Sequence, residues 1–275
     1  MSDNQEQQTR PVAIVTGAAG GIGEATARAL HEAGYRVFGT HRRPPTSRLR
    51  GVEYVACDVT SDESVEAATA EVLAKAGRID LLVNNAGVGL VAGAEESSLA
   101  QAKSLFDVNL FGVFRMTKAV LPTMRRQGSG RIVNISSVMG LIPAPFMALY
   151  SASKHAVEGY SESLDHEVRS SGVRVVLVEP AYTRTAFEGN VYQADQQLDV
   201  YQSARTNAEG VLREEMKTAD TPELVASAVV KASTAANPNR RYAAGRMARQ
   251  VSLLRRFVPA SAFDRSLRKQ MRLPA

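Results

Sequence analysis

The stretch Val12-Ala13-Ile14-Val15-Thr16-Gly17-Ala18-Ala19-Gly20-Gly21-Ile22-Gly23 decides the fold. Four consecutive apolar residues read as a strand covered on both faces, as parallel strands are. The glycines read as a tight turn, and a helix follows from Ile22. A strand, turn and helix in that order aim backbone N–H groups and the positive end of a helix dipole at one point, which suits a pyrophosphate. Gly17, Gly20, Gly21, Ile22 and Gly23 are the residues that would cradle it. No Gly-Lys-Ser/Thr follows, so this is not the mononucleotide P-loop.

The same alternation continues outward. Val12–Thr16, Arg36–Thr40, Glu53–Ala56, Leu81–Asn84, Arg131–Ile135, Val173–Val178 and Arg241–Ala244 read as about seven strands. Helices are expected near Ile22–Ala33, Asp62–Ala76, Leu99–Arg126, Leu149–Ser170 and Thr221–Ala235. Strands alternating with helices predict an α/β fold with one doubly wound parallel sheet. No linker or repeat divides it, so residues 11–245 are expected to form a single domain after a flexible tail over 1–10. Residues 181–220 depart from the pattern, being long and weakly periodic, and are expected to form a loop or lid over a site.

A dinucleotide site needs a partner for the adenine ribose about 20 residues beyond the glycines. An acid there would accept from a 2′-hydroxyl. Between Gly34 and Val52 there is no Asp or Glu, whereas Arg36, Arg42, Arg43, Arg48 and Arg50 are present. Guanidinium groups grip a phosphate in two-pronged fashion, so the segment predicts NADP(H), with Arg42 first and Arg43 second at the strand end.

Tyr150 and Lys154 stand four residues apart at the start of a predicted helix and share one face. An ammonium beside a phenol favours the phenolate, so Lys154 is expected to lower the Tyr150 pKa into a catalytic range. Ser136 and Ser137 lie at the end of a predicted strand, where an open α/β sheet collects its functional groups.

Together these elements resemble the short-chain dehydrogenase/reductase family, from about Val12 to Pro180. Its glycine motif is met at Thr16, Gly17, Gly21, Ile22 and Gly23. Its adenine-side acid matches Asp58, followed by Val59, and its Asn-Asn-Ala-Gly element is Asn84, Asn85, Ala86 and Gly87. The resemblance selects Ser137 by its place 13 positions before the tyrosine, and adds Asn109 to Ser137, Tyr150 and Lys154 as a catalytic tetrad. It implies a Rossmann-type sheet and hydride transfer between nicotinamide and a carbonyl or alcohol carbon, without a metal. Ser137 would polarise the carbonyl oxygen and Tyr150 would donate the proton. Lys154 would hold the nicotinamide ribose and Asn109 would anchor a proton-relaying water. Pro180, Thr183 and Thr185 would flank the nicotinamide, although Ala181 stands where the family usually has Gly.

The substrate wall is expected to include Leu90, Met139, Leu141, Phe146, Met147, Phe187 and Tyr192, an apolar set that suits a lipophilic ketone or aldehyde. Ordinary core packing explains the same residues. The Thr40-His41-Arg42 strand end and the basic tail are similar to the branch holding 17β-hydroxysteroid and retinol dehydrogenases, which implies a steroid-, retinoid- or polyketide-like carbonyl. The rival readings are an NADP-binding regulator without chemistry and a membrane-associated dehydrogenase working in the oxidative direction.

The charge is uneven. The chain carries +5 overall, yet the segment from Asn237 onward holds ten Lys/Arg against Asp264 alone, leaving the first 236 residues at −4. The high pI belongs to a tail and not to a nucleic-acid-binding face. Within the tail, Met247, Val251, Leu254 and Val258 recur at helical spacing, as do Phe263, Leu267 and Met271 after Pro259. Residues 246–275 therefore predict two basic amphipathic helices, packed on the body, on a partner subunit or weakly on a membrane surface. The single cysteine, Cys57, excludes an intrachain disulfide. A polar N-terminus and the lack of a long apolar run predict a soluble cytoplasmic protein, and the family resemblance implies a homodimer or homotetramer.

Overall fold

The computed structural model describes residues 9–43, 48–185 and 191–273. Seven strands form one parallel sheet: β1 (Val12–Val15), β2 (Arg36–His41), β3 (Val52–Ala56), β4 (Leu81–Asn84), β6 (Gly130–Ile135), β7 (Val173–Pro180) and β9 (Arg241–Ala244), in the order β3-β2-β1-β4-β6-β7-β9. Every pairing is parallel, with Val15 opposite Gly39 on one side and Val83 on the other. The chain leaves β1 for β2 in one direction and reaches β4 in the other. The crevice of such a sheet opens between β1 and β4, beyond their carboxyl ends.

Both faces of the sheet are covered, which is why its strands are continuously apolar. Successive side chains alternate faces. Val12 and Ile14 of β1 pack with Phe38, Leu82, Ile132 and Met124, whereas Ala13 and Val15 pack with Val37, Val83, Val133 and Val176. The first layer is closed by α2 (Asp62–Ala76), α4 (Gly112–Gln127) and α5 (Ala148–Val168), through Val65, Val72, Val120 and Leu164. The second is closed by α1 (Gly21–Glu32) and α7 (Pro222–Thr234), through Ala27, Leu30, Val225 and Val229. Each large aliphatic side chain buried this way contributes about 1.5–3 kcal/mol.

Two expectations need correction. The helix expected over Leu99–Arg126 is two α-helices, α3 (Leu99–Phe106) and α4, joined by a wider π-turn over Asp107–Phe111. That turn sets Asn109 inward, 1% exposed. Its side chain is fixed there by the Val88 backbone, accepting from Val88 N–H and donating to Val88 C=O, both at 2.9 Å. Within 181–220, the described residues carry more regular structure than their pattern suggests. They contribute β8 (Val191–Gln193), paired in parallel with β5 (Gly89–Val91), and the 16-residue α6 (Gln202–Lys217).

The two tail helices are present as α8 (Arg246–Phe257) and α9 (Ala260–Gln270). Ala248, Val251 and Phe263 pack on the Val138–Gly140 turn beside Met139 and Ile142. Leu267 and Met271 pack on Ala208 and Val211 of α6. The stripe is divided, however, since Val251 packs on the body whereas Leu254 remains outside together with its neighbours Leu253 and Phe257. No helix among the described residues is long and apolar enough to cross a membrane.

Candidate active site

The glycine turn leaves β1 with Gly17 at φ +67° and Gly21 at φ +56°, in the left-handed region where a side chain is strained. Asn85 holds this turn from β4: its Nδ2 donates to the Thr16 carbonyl (2.9 Å) and the Gly17 carbonyl (3.3 Å). Thr16 Oγ1 in turn accepts from the backbone N–H of Asn85 and Ala86, each at 2.9 Å. A Cβ on Gly23 would overlap the Gly17 carbonyl oxygen and lie 2.5 Å from Asn85 Nδ2, while Gly20 has open space in front of it. The cradle is therefore closed on the protein side and open outward, as a bound pyrophosphate requires. Gly23→Ala is expected to weaken binding of a reduced nicotinamide dinucleotide at least about tenfold by forcing this turn apart, measured by quenching of nicotinamide fluorescence.

Around the cradle, Thr185 faces Gly21, where an added Cβ would stand 3.1 Å from the threonine Cβ. Thr183 is used differently: its hydroxyl donates to the Ala181 carbonyl (3.2 Å), and its backbone bridges to Asp220. Among the described residues positive φ outside glycine occurs only at Phe146 and Arg272, so Ala181 sits in its place without backbone strain. Arg42 and Arg43 are exposed at the end of β2, whereas Arg36 is engaged by Glu53 and the Lys75 carbonyl. Asp58 lies across from Arg42. Burial works against its charge, but the backbone and hydroxyl donors of Thr60 and the Arg42 charge hold its pKa below the usual range. Val59 is buried against Gly112 at the start of α4.

The tetrad converges on the carboxyl ends of β4 and β6. Gly87 borders it, since a Cβ there would meet Asn109 Oδ1 at 3.3 Å and Lys154 Nζ at 3.9 Å. Asn109 Nδ2 also donates to Ser153 Oγ (3.2 Å), one residue before Lys154. Lys154 is buried with its ammonium donating to the Ile135 carbonyl (3.0 Å) and lying 5.8 Å from the Tyr150 ring centre. The Tyr150 hydroxyl faces Ser137, whose Oγ accepts from Met139 N–H (3.2 Å).

The electrostatics correct the expectation for the pair. Burial pushes the Tyr150 phenol up to about 12, opposed only by the Ser137 side chain. Burial likewise brings Lys154 down to about 8, opposed by the charge of Glu158. Desolvation penalises both charged forms, and in the protein alone it outweighs any pull of the ammonium on the phenol.

The expected substrate residues are not gathered on one wall. Met139, Leu141 and Met147 cluster with Tyr150 beside the serine. Phe146, at φ +60°, meets Tyr201 edge-on at 6.2 Å across an open groove of ≈ 380 Å³ that also reaches Leu273. Leu90, by contrast, is buried with Ala92 and Leu105, and Tyr192 stands half-exposed on β8. Phe187 lies outside the described residues.

Two polar clusters lie beneath the site, and of their members only Asn84 belongs to a motif read from the sequence. Asn84 donates to Asn134 (2.9 Å), which donates to Ser161 (2.8 Å), tying β4, β6 and α5 together. Arg241 of β9 binds Glu158 (2.5 Å) and Glu162 (3.2 Å) of α5 and Glu179 (2.8 Å) of β7. Glu158 follows Lys154 by one helical turn, a spacing that could have marked it. Its partner lies 83 residues away and leaves no local signal. Buried Glu96, just after β5, accepts from Gly93 N–H (2.7 Å), Leu198 N–H (2.9 Å) and Arg205, which fixes α6 to the loop after β5.

Comparison with known proteins agrees with this architecture. The family model described as short chain dehydrogenase matches residues 11–196. The chain is 36% identical over 236 residues to a 3-ketodihydrosphingosine reductase of Bacteroides thetaiotaomicron, covering 85% of this chain and 87% of that protein. It is 48% identical over 136 residues to bovine retinol dehydrogenase 8, covering 50% and 43% of the two chains. A solved short-chain dehydrogenase from Streptomyces avermitilis superposes with a TM-score of 0.79 at 34% identity, covering 96% and 95%. With the glycine cradle at β1, the Asn-Asn-Ala-Gly element at β4 and the Ser-Tyr-Lys group at β6 and α5 in one crevice, the chain belongs to the short-chain dehydrogenase/reductase family of oxidoreductases.

Proposed function

We propose that the chain is an NADP(H)-dependent reductase of lipophilic ketones or aldehydes. The observation that carries the cofactor choice is the β2 end, where Arg42 and Arg43 stand exposed and no acid occurs between Gly34 and Val52. The glycine cradle, Asp58 and Thr185 fit the rest of a dinucleotide. When bound, the nicotinamide supplies the hydride. The remaining work falls to the chain. Ser137 donates a hydrogen bond to the carbonyl oxygen as negative charge develops on it. Tyr150, its proton retained by burial, gives that proton to the same oxygen. Lys154 holds ribose hydroxyls and supplies positive charge, and Asn109 keeps the lysine side of the site polar and ordered.

The substrate reading rests on the apolar cluster of Met139, Leu141 and Met147 beside the serine, and on Phe146 and Tyr201 beyond it. The names of two relatives, a reductase of a long-chain sphingoid ketone and a retinol dehydrogenase, concern substrates of the same lipophilic kind. Self-association as a dimer or tetramer belongs to the same proposal, with Phe111 and Phe114 exposed at the start of α4. The test is NADPH oxidation across steroid, retinoid and long-chain ketones. Arg42→Ala is expected to lower kcat/KM for NADPH about 10- to 100-fold and leave NADH unchanged, since it deletes a charged hydrogen bond to the 2′-phosphate. Equal use of both cofactors, unaltered in the variant, would refute the assignment.

A further inference from the structure

Helix α8 has two unlike faces. Ala248 is fully buried and Val251 packs beside it against the turn that follows Ser137. On the other side Leu253, Leu254 and Phe257 are 58%, 50% and 71% exposed, three large apolar side chains within five residues. Cations surround them. Residues 246–273 hold eight Lys/Arg against Asp264 alone. Arg246, Arg249, Arg255, Arg256 and Arg265 pair with no carboxylate among the described residues. The Arg256 guanidinium lies over the Phe257 ring at 5.4 Å, so the apolar and cationic groups present one surface.

From this juxtaposition we infer that α8 docks the protein on an anionic phospholipid surface. The apolar side chains would enter the headgroup–acyl boundary and the arginines would meet lipid phosphates, the usual division of labour in an interfacial helix. The alternatives fit less well. A nucleic acid would engage the arginines but leave three protruding apolar side chains in water or against phosphates. A second copy meeting this face about a two-fold axis would bring its own arginines opposite these, like charge against like.

The placement has a consequence for access. The buried side of α8 touches the turn carrying Val138 and Met139, and α9 touches Phe146 and α6 through Leu267 and Met271. Docking would therefore hold the candidate substrate region close to the lipid phase, where lipophilic carbonyls partition. The inference stands on the surface alone and does not depend on the proposed reaction.

The test is co-sedimentation of the full chain with vesicles of phosphatidylcholine, alone or mixed with phosphatidylglycerol. Binding is expected only to the mixed vesicles and to be reversed by high salt. Leu253→Ser/Phe257→Ser and Arg249→Glu/Arg256→Glu are each expected to weaken it at least about tenfold. Both pairs are exposed, and an unchanged Tm and circular dichroism spectrum would show that the variants fold. The idea is overturned if the wild type prefers neither vesicle. It is equally overturned if the apolar variant binds as well as wild type, which would reveal a general polyanion site. A solution mass that halves in the apolar variant, with no vesicle binding by wild type, would assign the face to a second copy.

Discussion

Tyr150→Phe is expected to lower kcat for carbonyl reduction about 10³-fold while NADPH binds within about twofold of wild type. The substitution removes one oxygen and keeps the ring, so the packing of Tyr150 with Met139 and Met147 and its 5.8 Å approach to Lys154 persist. A 10³-fold loss corresponds to about 4 kcal/mol of transition-state stabilisation, within reach of a positioned proton donor. With the phenol pushed up to about 12, Tyr150 holds its proton throughout the neutral range and is in the donor state. The limb near neutrality belongs instead to Lys154, brought down to about 8. Its positive charge is present below that pH and lost above it, so kcat/KM for reduction should fall as pH rises through about 8. Stopped-flow rates and a cofactor titration on both proteins decide the matter. A variant that keeps a tenth of the wild-type rate would remove Tyr150 from its role.

The second large effect is structural. Arg241→Ala is expected to cost about 3–5 kcal/mol of stability near pH 8.5, read from urea unfolding, because it removes the guanidinium paired with two buried carboxylates that are ionised there. The side chains of Glu158 and Glu179 are 6% and 1% exposed. Burial, and next the negative charge of Glu179, already raise Glu158 to about 7, and burial raises Glu179 as well. A carboxyl group with a raised folded-state pKa binds its proton more tightly in the native protein. It therefore favours folding at low pH and withdraws that favour as pH rises from the unfolded value near 4.5 to about 7. Without Arg241 both groups titrate higher still, so the deficit should shrink at pH 5 and widen above pH 7. A loss below about 1 kcal/mol, or one that ignores pH, would show that the cluster is not charged as drawn.

What the sequence disclosed follows from where the physics is local. The glycine turn announces itself because each residue acts on its neighbour's backbone, and the alternation of apolar strands with helices gave the sheet almost to the residue. Tyr150 and Lys154 share a helix face by spacing alone. Asn109 was reachable only through resemblance, because a π-turn held by the Val88 backbone breaks the helical period around it. Helix α6 was hidden because its buried positions include Arg205, whose partner Glu96 lies 109 residues earlier. Arg241 reads as an ordinary strand-edge cation until β7 and α5 surround it. The tail's stripe left open what it packs on, and the structure divides it, with Val251 against the Val138–Gly140 turn and Leu254 outside.

That division of the tail bears on how the protein comes into being. Cradle and tetrad are drawn from residues 16–154, all made early in synthesis. The cluster flanking Tyr150, however, recruits Ala248, Val251 and Phe263, and the one flanking Phe146 recruits Leu267 and Met271. Chains emerge from the ribosome at about 5–20 residues per second, so these partners arrive several seconds after Tyr150. During that interval the clusters beside Tyr150 and Phe146 lack their C-terminal partners. The surroundings of Tyr150 and Phe146 are therefore the last part of the crevice to be completed.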